Sequence, residues 1–84
     1  MARINKNLEI QCKEHPRTWV NLIVGISGDA GERIQAMEKR GVQIKRRFRL
    51  TGKVGVKATG KMALELAQAS WVTSIEEDKP VHAL

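Results

Sequence analysis

The residues best suited to chemistry lie at the end of the chain, where an acidic cluster precedes a short tail. Residues 76–78 are Glu-Glu-Asp, and residues 79–84 continue as Lys-Pro-Val-His-Ala-Leu. Proline holds φ near about −65° and disfavours helix at the residue before it, so the tail is predicted to be extended. Such a segment, with Val81 and Leu84 as its apolar side chains, can bind in a groove of another protein. The alternative is an ordinary frayed chain end.

Other reactive side chains are few and scattered. Cys12 is the single cysteine, which excludes an internal disulfide and a metal site built from several thiolates. His15 and His82 fall in the N-terminal segment and in the tail, where catalytic geometry is hard to hold. Residues 52–55, Gly-Lys-Val-Gly, join two predicted strands and open no helix, so they make no phosphate-binding loop. The sequence therefore predicts neither an enzyme nor a cofactor or metal site.

The size and charge of the chain limit its possible functions. Its 84 residues form one domain with a formal net charge of +6. A domain this small buries only about 60–65% of its unfolded surface, which leaves little room for an internal catalytic cavity. The sequence shows no signal peptide and no apolar stretch near the ~20 residues of a membrane span. We therefore expect a cytoplasmic protein with no membrane partner.

The first half of the chain predicts a leader, a strand and a helix. Residues 1–16 are polar and mixed, and we expect a flexible arm with a short extended piece at residues 8–12. A domain follows at residues 17–78. Its first strand covers residues 20–26, where alternate apolar positions share one parity. Asp29 is predicted to cap a helix that stops at Gly41.

The second half predicts a hairpin, a helix and a last strand. The hairpin strands cover residues 42–50 and 53–58, Thr59 caps a helix through about residue 70, and the last strand ends near Asp78. This β-α-β-β-α-β order is that of the ferredoxin-like split β-α-β arrangement. The sequence thus predicts an α+β fold, with a four-stranded antiparallel sheet, two helices on one face and the other face uncovered.

Strand parity assigns side chains to the two faces of this sheet. The core face of the second strand is predicted to carry Val42, Ile44, Phe48 and Leu50, with Arg46 as an interruption. The uncovered face is predicted to carry Trp19, Asn21 and Ile23 of the first strand, Gln43, Lys45, Arg47 and Arg49 of the second, and Gly55 and Lys57 of the third. Such a face can dock on another protein or simply be solvated.

Nucleic-acid binding is the alternative function. Residues 45–49, Lys-Arg-Arg-Phe-Arg, form a basic strand in a fold that also builds RNA-recognition domains. Phe48 is the only phenylalanine, however, and the chain has no tyrosine. Recognition of single strands on such a sheet depends on aromatic side chains that stack on bases. We therefore rank this function second.

Several stretches carry a resemblance to a known family. They are Val-Asn-Leu-Ile-Val at residues 20–24, residues 41–48, residues 54–56, and Trp-Val-Thr-Ser-Ile-Glu-Glu-Asp at residues 71–78. From residue 19 to residue 84 the chain resembles the propeptides of subtilisin-like serine proteases and the free-standing inhibitors of peptidase inhibitor family nine. Residues 1–16 fall outside the resemblance.

The resemblance implies a mode of docking. The uncovered sheet face would pack on two parallel surface helices of the protease. Glu76 and Asp78 would cap the N-termini of these helices, where unpaired N–H groups favour carboxylates. Glu77 would point the other way.

The resemblance also implies a mechanism of inhibition. The tail would lie in the substrate groove as an added strand, and its residues are Pro80, Val81, His82, Ala83 and Leu84. Leu84 would fill the primary pocket, Val81 the apolar pocket three residues upstream, and Ala83 the narrow position beside the catalytic histidine. With the chain stopping at Leu84, its carboxylate would sit near the oxyanion donors as that of a bound product.

We therefore expect an inhibitor of a subtilisin-like serine protease that is a monomer when free. Two versions stay open. One is an independent cytoplasmic inhibitor, and the other is a propeptide of an extracellular protease that also helps its protease to fold.

Overall fold

The structure, a computed structural model, describes residues 2–48 and 50–78. The elements in chain order are β1 (Arg3–Ile4), α1 (Lys6–Glu14), β2 (Trp19–Ile26), α2 (Ala30–Lys39), β3 (Gln43–Phe48), β4 (Lys53–Thr59), α3 (Gly60–Gln68) and β5 (Val72–Glu77). No helix in these two described ranges is long and apolar enough to cross a membrane.

The five strands form one mixed sheet in the order β1-β5-β2-β4-β3. β2 pairs antiparallel with both β4 and β5, and β3 pairs antiparallel with β4. β1 adds a short parallel strand outside β5, with Arg3 opposite Ser74 and Ile4 opposite Ile75. The predicted α+β class is confirmed. The predicted number of elements, four antiparallel strands and two helices, is wrong, because β1 adds a fifth, parallel strand and α1 adds a third helix.

The N-terminal segment is folded against the domain, which differs from the flexible arm that we expected. The side chain of Asn5 caps α1 by accepting hydrogen bonds from the backbone N–H groups of Asn7, at 2.8 Å, and Leu8, at 3.3 Å. Leu8 and Cys12, one helical turn apart, are buried in the core. The extended piece predicted at residues 8–12 is therefore helical.

The two predicted helix caps are both present. Asp29 Oδ1 accepts from the backbone N–H of Gly31 at 2.8 Å, and Thr59 Oγ1 accepts from that of Met62 at 3.3 Å. Gly41 follows α2 with φ of +93°, a conformation that glycine adopts without steric cost. These local signals place α2 and α3 along the chain much as the sequence predicts.

The core lies between the sheet and the helices. It contains Leu22, Val24, Val54, Val56, Ala58, Val72 and Ile75 from the strands, and Leu8, Cys12, Met37, Ala63, Leu66 and Ala67 from the helices. The buried strand residues share one side of the ladder, as the register shows by pairing Leu22 with Val56 and Val24 with Val54. The side of the sheet away from the helices is left uncovered.

A bulge in β3 changes the faces that parity predicts for the hairpin. Ile44 lies opposite Val56, but the next pair joins Arg46 to Gly55, so Lys45 is an extra residue in the ladder. Beyond the bulge every side chain changes face. Arg46 and Phe48 therefore lie on the uncovered side, and Arg47 lies on the helix side opposite Val54. The predicted core position of Phe48 and the predicted uncovered position of Arg47 are wrong.

The tip of the hairpin differs from the prediction as well. Leu50 was expected on the core face, but it lies in the turn between β3 and β4 and is fully exposed. Arg49 lies outside the described residues.

The close contact between α1 and α3 depends on Gly60. A Cβ atom at this position would lie 2.6 Å from the carbonyl oxygen of Cys12 and 2.7 Å from that of His15. The Gly60 N–H donates to the carbonyl of Thr18 at 3.1 Å, and the Lys61 N–H donates to that of Pro16 at 3.0 Å. The connection after α1 therefore satisfies the N–H groups at the start of α3.

We predict that Gly60→Ala destabilises the protein by about 1–3 kcal/mol, because the added methyl group meets fixed backbone atoms. Gly31→Ala is the matched control, since Gly31 lies in the exposed first turn of α2; its effect should stay within about 1 kcal/mol. Urea denaturation followed by circular dichroism measures both. Equal stability of the two variants would show that α1 does not pack on α3 as described.

Candidate functional site

The uncovered side of the sheet, hereafter the open face, is defined by the register of the strands. It carries Trp19, Asn21, Ile23 and Gly25 of β2, Lys53, Gly55, Lys57 and Thr59 of β4, Gln43, Arg46 and Phe48 of β3, and Ser74 and Glu76 of β5. Lys45 reaches it too, because its Nζ donates to Asn21 Oδ1 at 3.0 Å. The helices leave this broad surface without cover.

Most of the residues that parity assigned to this face lie on it. Among the described residues Arg47 is the exception for the reason given above, and Arg46 and Phe48 are the two residues of β3 that the prediction missed. The signal for them was present in the sequence, since Arg46 breaks the apolar alternation of the strand. An extra residue at a bulge accounts for such a break as well as a tilted arginine does.

The acidic end of the open face lies on β5. Glu76 lies opposite Ile23 on this face, whereas Glu77 lies opposite Leu22 on the helix side. Asp78 continues the ladder, because its N–H donates to the carbonyl of Asn21 at 2.9 Å. Since side chains alternate along a strand, Glu76 and Asp78 share a side.

Glu76 has a partner within the chain, which the sequence did not reveal. Its Oε2 lies 3.1 Å from Lys53 Nζ, and both side chains are substantially exposed. An exposed ion pair of this kind stabilises a protein by about 0–1 kcal/mol. The carboxylate of Glu76 is therefore held over the sheet by a contact that is weak enough to exchange.

The basic end of the open face lies on the hairpin. Lys45 bonds to the neutral amide of Asn21, and the Arg46 guanidinium lies 5.7 Å from the centre of the Phe48 ring. The ion pairs within the described residues are Lys13–Glu9, Arg40–Glu65 and Lys53–Glu76. None of Lys45, Arg46 and Lys57 is in that set, so their charges have no carboxylate partner in the described part of the chain.

The centre of the open face is aliphatic and flat. Half-buried Ile23 lies opposite Gly55, and a Cβ at Gly55 would lie 3.6 Å from atoms of both Arg46 and Phe48. The Phe48 ring is thus engaged by Gly55 and Arg46. Trp19, at the start of β2, is 42% exposed. The two central strands present no aromatic side chain in the middle of the face.

The predicted groove-binding residues, Pro80, Val81, His82, Ala83 and Leu84, lie outside the described residues. The structure does locate the point from which this segment continues. The Asp78 N–H bonds to the carbonyl of Asn21 near the start of β2. Residues 79–84 therefore follow directly from the acidic end of the open face.

The remaining reactive groups do not form a catalytic or metal site in the described ranges. Cys12 is buried, and its pKa is raised, first by burial and second by the negative charge of Glu77. A buried thiol with a raised pKa is a poor nucleophile. No group of three or more His, Cys, Asp and Glu residues is placed to hold a metal ion within residues 2–48 and 50–78.

We predict that the raised pKa of Cys12 adds a pH dependence to stability. The folded protein favours the neutral thiol, so this contribution is fully present below the ordinary pKa of 9.0 and is lost as the pH rises above it. The unfolding free energy should therefore fall more between pH 8 and pH 10 in the parent than in Cys12→Ala. Urea titrations across that pH range test this, and parallel pH profiles would contradict it.

Comparison of the chain with models of known protein families and with characterised proteins finds no match. The features that bear on function are therefore the open face, the acidic end of β5 and the resemblance of residues 19–84 to the subtilisin propeptides.

Proposed function

We propose that this protein inhibits a subtilisin-like serine protease by docking its open face on the enzyme and placing residues 79–84 in the substrate groove. The observation that carries the proposal is the position of Glu76. It lies on the open face at the end of β5, immediately before the tail and on the side of the sheet that the helices leave bare.

The arrangement of the longer strands supports this function. β5, β2, β4 and β3 are mutually antiparallel neighbours, with α2 connecting β2 to β3 and α3 connecting β4 to β5. This strand order supports the ferredoxin-like arrangement that the resemblance implies. In that arrangement the open face would pack on two surface helices of the protease.

The energetics of the acidic end also support docking on helix N-termini. A carboxylate that caps a helix contributes about 0.5–2 kcal/mol, whereas the exposed contact between Glu76 and Lys53 contributes about 0–1 kcal/mol. At the midpoints of these two ranges, exchange of Lys53 for a helix N-terminus is favourable by about 1 kcal/mol. Asp78, on the same side, would cap the second helix.

The tail supplies affinity by β-augmentation. Main-chain hydrogen bonds hold an added strand in a groove, and alternate side chains enter pockets. Burial of Val81 and Leu84 contributes roughly 1.5–3 kcal/mol for each side chain. Ala83 would take the narrow position between the groove and the catalytic histidine.

We predict that the chain inhibits subtilisin-type proteases at sub-micromolar concentration and leaves trypsin active, because Leu84 does not suit a pocket built for a basic side chain. Titration of each enzyme with a chromogenic peptide substrate measures this. Deletion of residues 81–84 should raise the inhibition constant by about 10²–10⁴-fold, from the loss of two apolar anchors. No inhibition of several subtilisins at about 10 μM, roughly 7 kcal/mol of binding, would refute the proposal.

A second prediction concerns the acidic end of the open face. Glu76→Ala combined with Asp78→Ala should raise the inhibition constant by at least about tenfold, because two helix caps are lost. Circular dichroism should stay unchanged. Glu38→Ala combined with Glu65→Ala is the matched control, since it removes two exposed carboxylates from the helices. If both double variants inhibit like the parent, docking does not use the end of β5.

A further inference from the structure

Charge is distributed unevenly across the open face. Glu76 and Asp78 lie at the β5 side, and the backbones of Lys45, Arg46 and Lys57 lie toward the β3 side. Three strand spacings, about 14 Å, separate the backbones of β5 and β3. The Lys45 ammonium reaches back to Asn21 on β2, but within the described residues none of the three cations forms an ion pair with Glu76 or Asp78. The face therefore has an acidic end and a basic end.

The charges of the basic end do more than prevent an edge strand from pairing with other chains. Charged residues on edge strands commonly prevent pairing with other chains, and β3 is an edge strand. Lys57, however, lies on the inner strand β4, and Lys45 extends across β4 to reach Asn21 on β2. The Lys45 ammonium is therefore held above the face and Lys57 is exposed on it, so a docked partner would meet both residues.

The face fits a folded protein better than it fits a nucleic acid. A phosphate backbone that crossed the sheet would meet the carboxylate of Glu76 on the same surface. Stacking of bases needs open aromatic rings in the middle of the sheet, whereas the centre holds Ile23 and Gly55, and Arg46 lies over Phe48. A folded partner that places positive charge against the acidic end and negative charge against the basic end is complementary to the whole face.

We propose that the open face selects proteases that carry an acidic surface patch beside their docking helices. This proposal rests on the proposed function. The patch faces Lys45, Arg46 and Lys57 while the helix N-termini face Glu76 and Asp78, so the charges set a single orientation of docking. Complementary fields of this kind accelerate encounter by about 10–10³-fold and act mainly on the association rate.

The test compares two triple variants of equal charge. One is Lys45→Gln, Arg46→Gln and Lys57→Gln on the open face. The control is Lys6→Gln, Lys39→Gln and Lys61→Gln, three exposed lysines, one on each helix. Association rates with a subtilisin-type protease that the parent inhibits are measured from inhibition progress curves between low and high salt, after circular dichroism has shown that both variants fold.

The open-face variant should associate at least about tenfold more slowly at low salt, with a flatter salt dependence and a nearly unchanged dissociation rate. The control variant should stay close to the parent. If both variants are slowed equally, or if the parent's association rate does not depend on salt, the proposed preference for an acidic patch is wrong, but the proposed inhibition is not contradicted. If the parent does not inhibit any protease, both the proposed function and the proposed preference are wrong. Tight binding of a single-stranded RNA oligonucleotide at physiological salt, lost in the open-face variant, assigns the basic end to nucleic acid instead.

Discussion

The register between β2 and its two neighbours is the constraint on which the rest of the structure depends. Val24 lies opposite both Val54 and Ile75, and all three are buried beneath the helices. Because side chains alternate along a strand, this pairing places Glu76 on the open face and Glu77 on the helix side. A slip of one residue would exchange them and bury the wrong set of side chains. The same strand register therefore determines both the packing of the core and the side of the sheet on which Glu76 lies.

The N-terminal segment gives this small domain additional core. A chain of this length has little buried surface to offset its conformational entropy. Leu8 and Cys12 add to the apolar cluster, β1 pairs with β5, and the Ala2 N–H donates to the carbonyl of Ala67 at 2.9 Å. Because β5 carries Glu76 and leads into residues 79–84, support of β5 from β1 and α1 is also support of the candidate docking residues. A preorganised face loses less entropy on binding.

Sequence reasoning succeeded where structure follows from local chemistry and failed where it depends on contacts distant along the chain. Asp29 and Thr59 cap helices through their own side chains, and the alternation in β2 reflects burial on one side, so these features were predictable. The Asn5 cap was an equally local signal for α1, but the helix has only two buried residues and a mostly polar surface. The bulge at Lys45 and the contact of Glu76 with Lys53 depend on how strands pair. The alternation of apolar and polar residues within one strand reveals neither of these features.

The open face and the tail make different contributions to binding in the proposed complex. Two buried apolar side chains of the tail give roughly 3–6 kcal/mol before the entropy of ordering them. Glu76 and Asp78 would add the affinity of two helix caps, whereas the exposed cations of the basic end contribute little to equilibrium affinity, because solvent and salt screen them. Those charges do act at a distance, before any contact forms, and they favour one orientation. Because the tail follows the acidic end along the chain, docking of the face in the proposed orientation would bring the tail to the groove. In the proposed complex the sheet would therefore govern how fast and how selectively the complex forms, and the tail would govern how long it lasts.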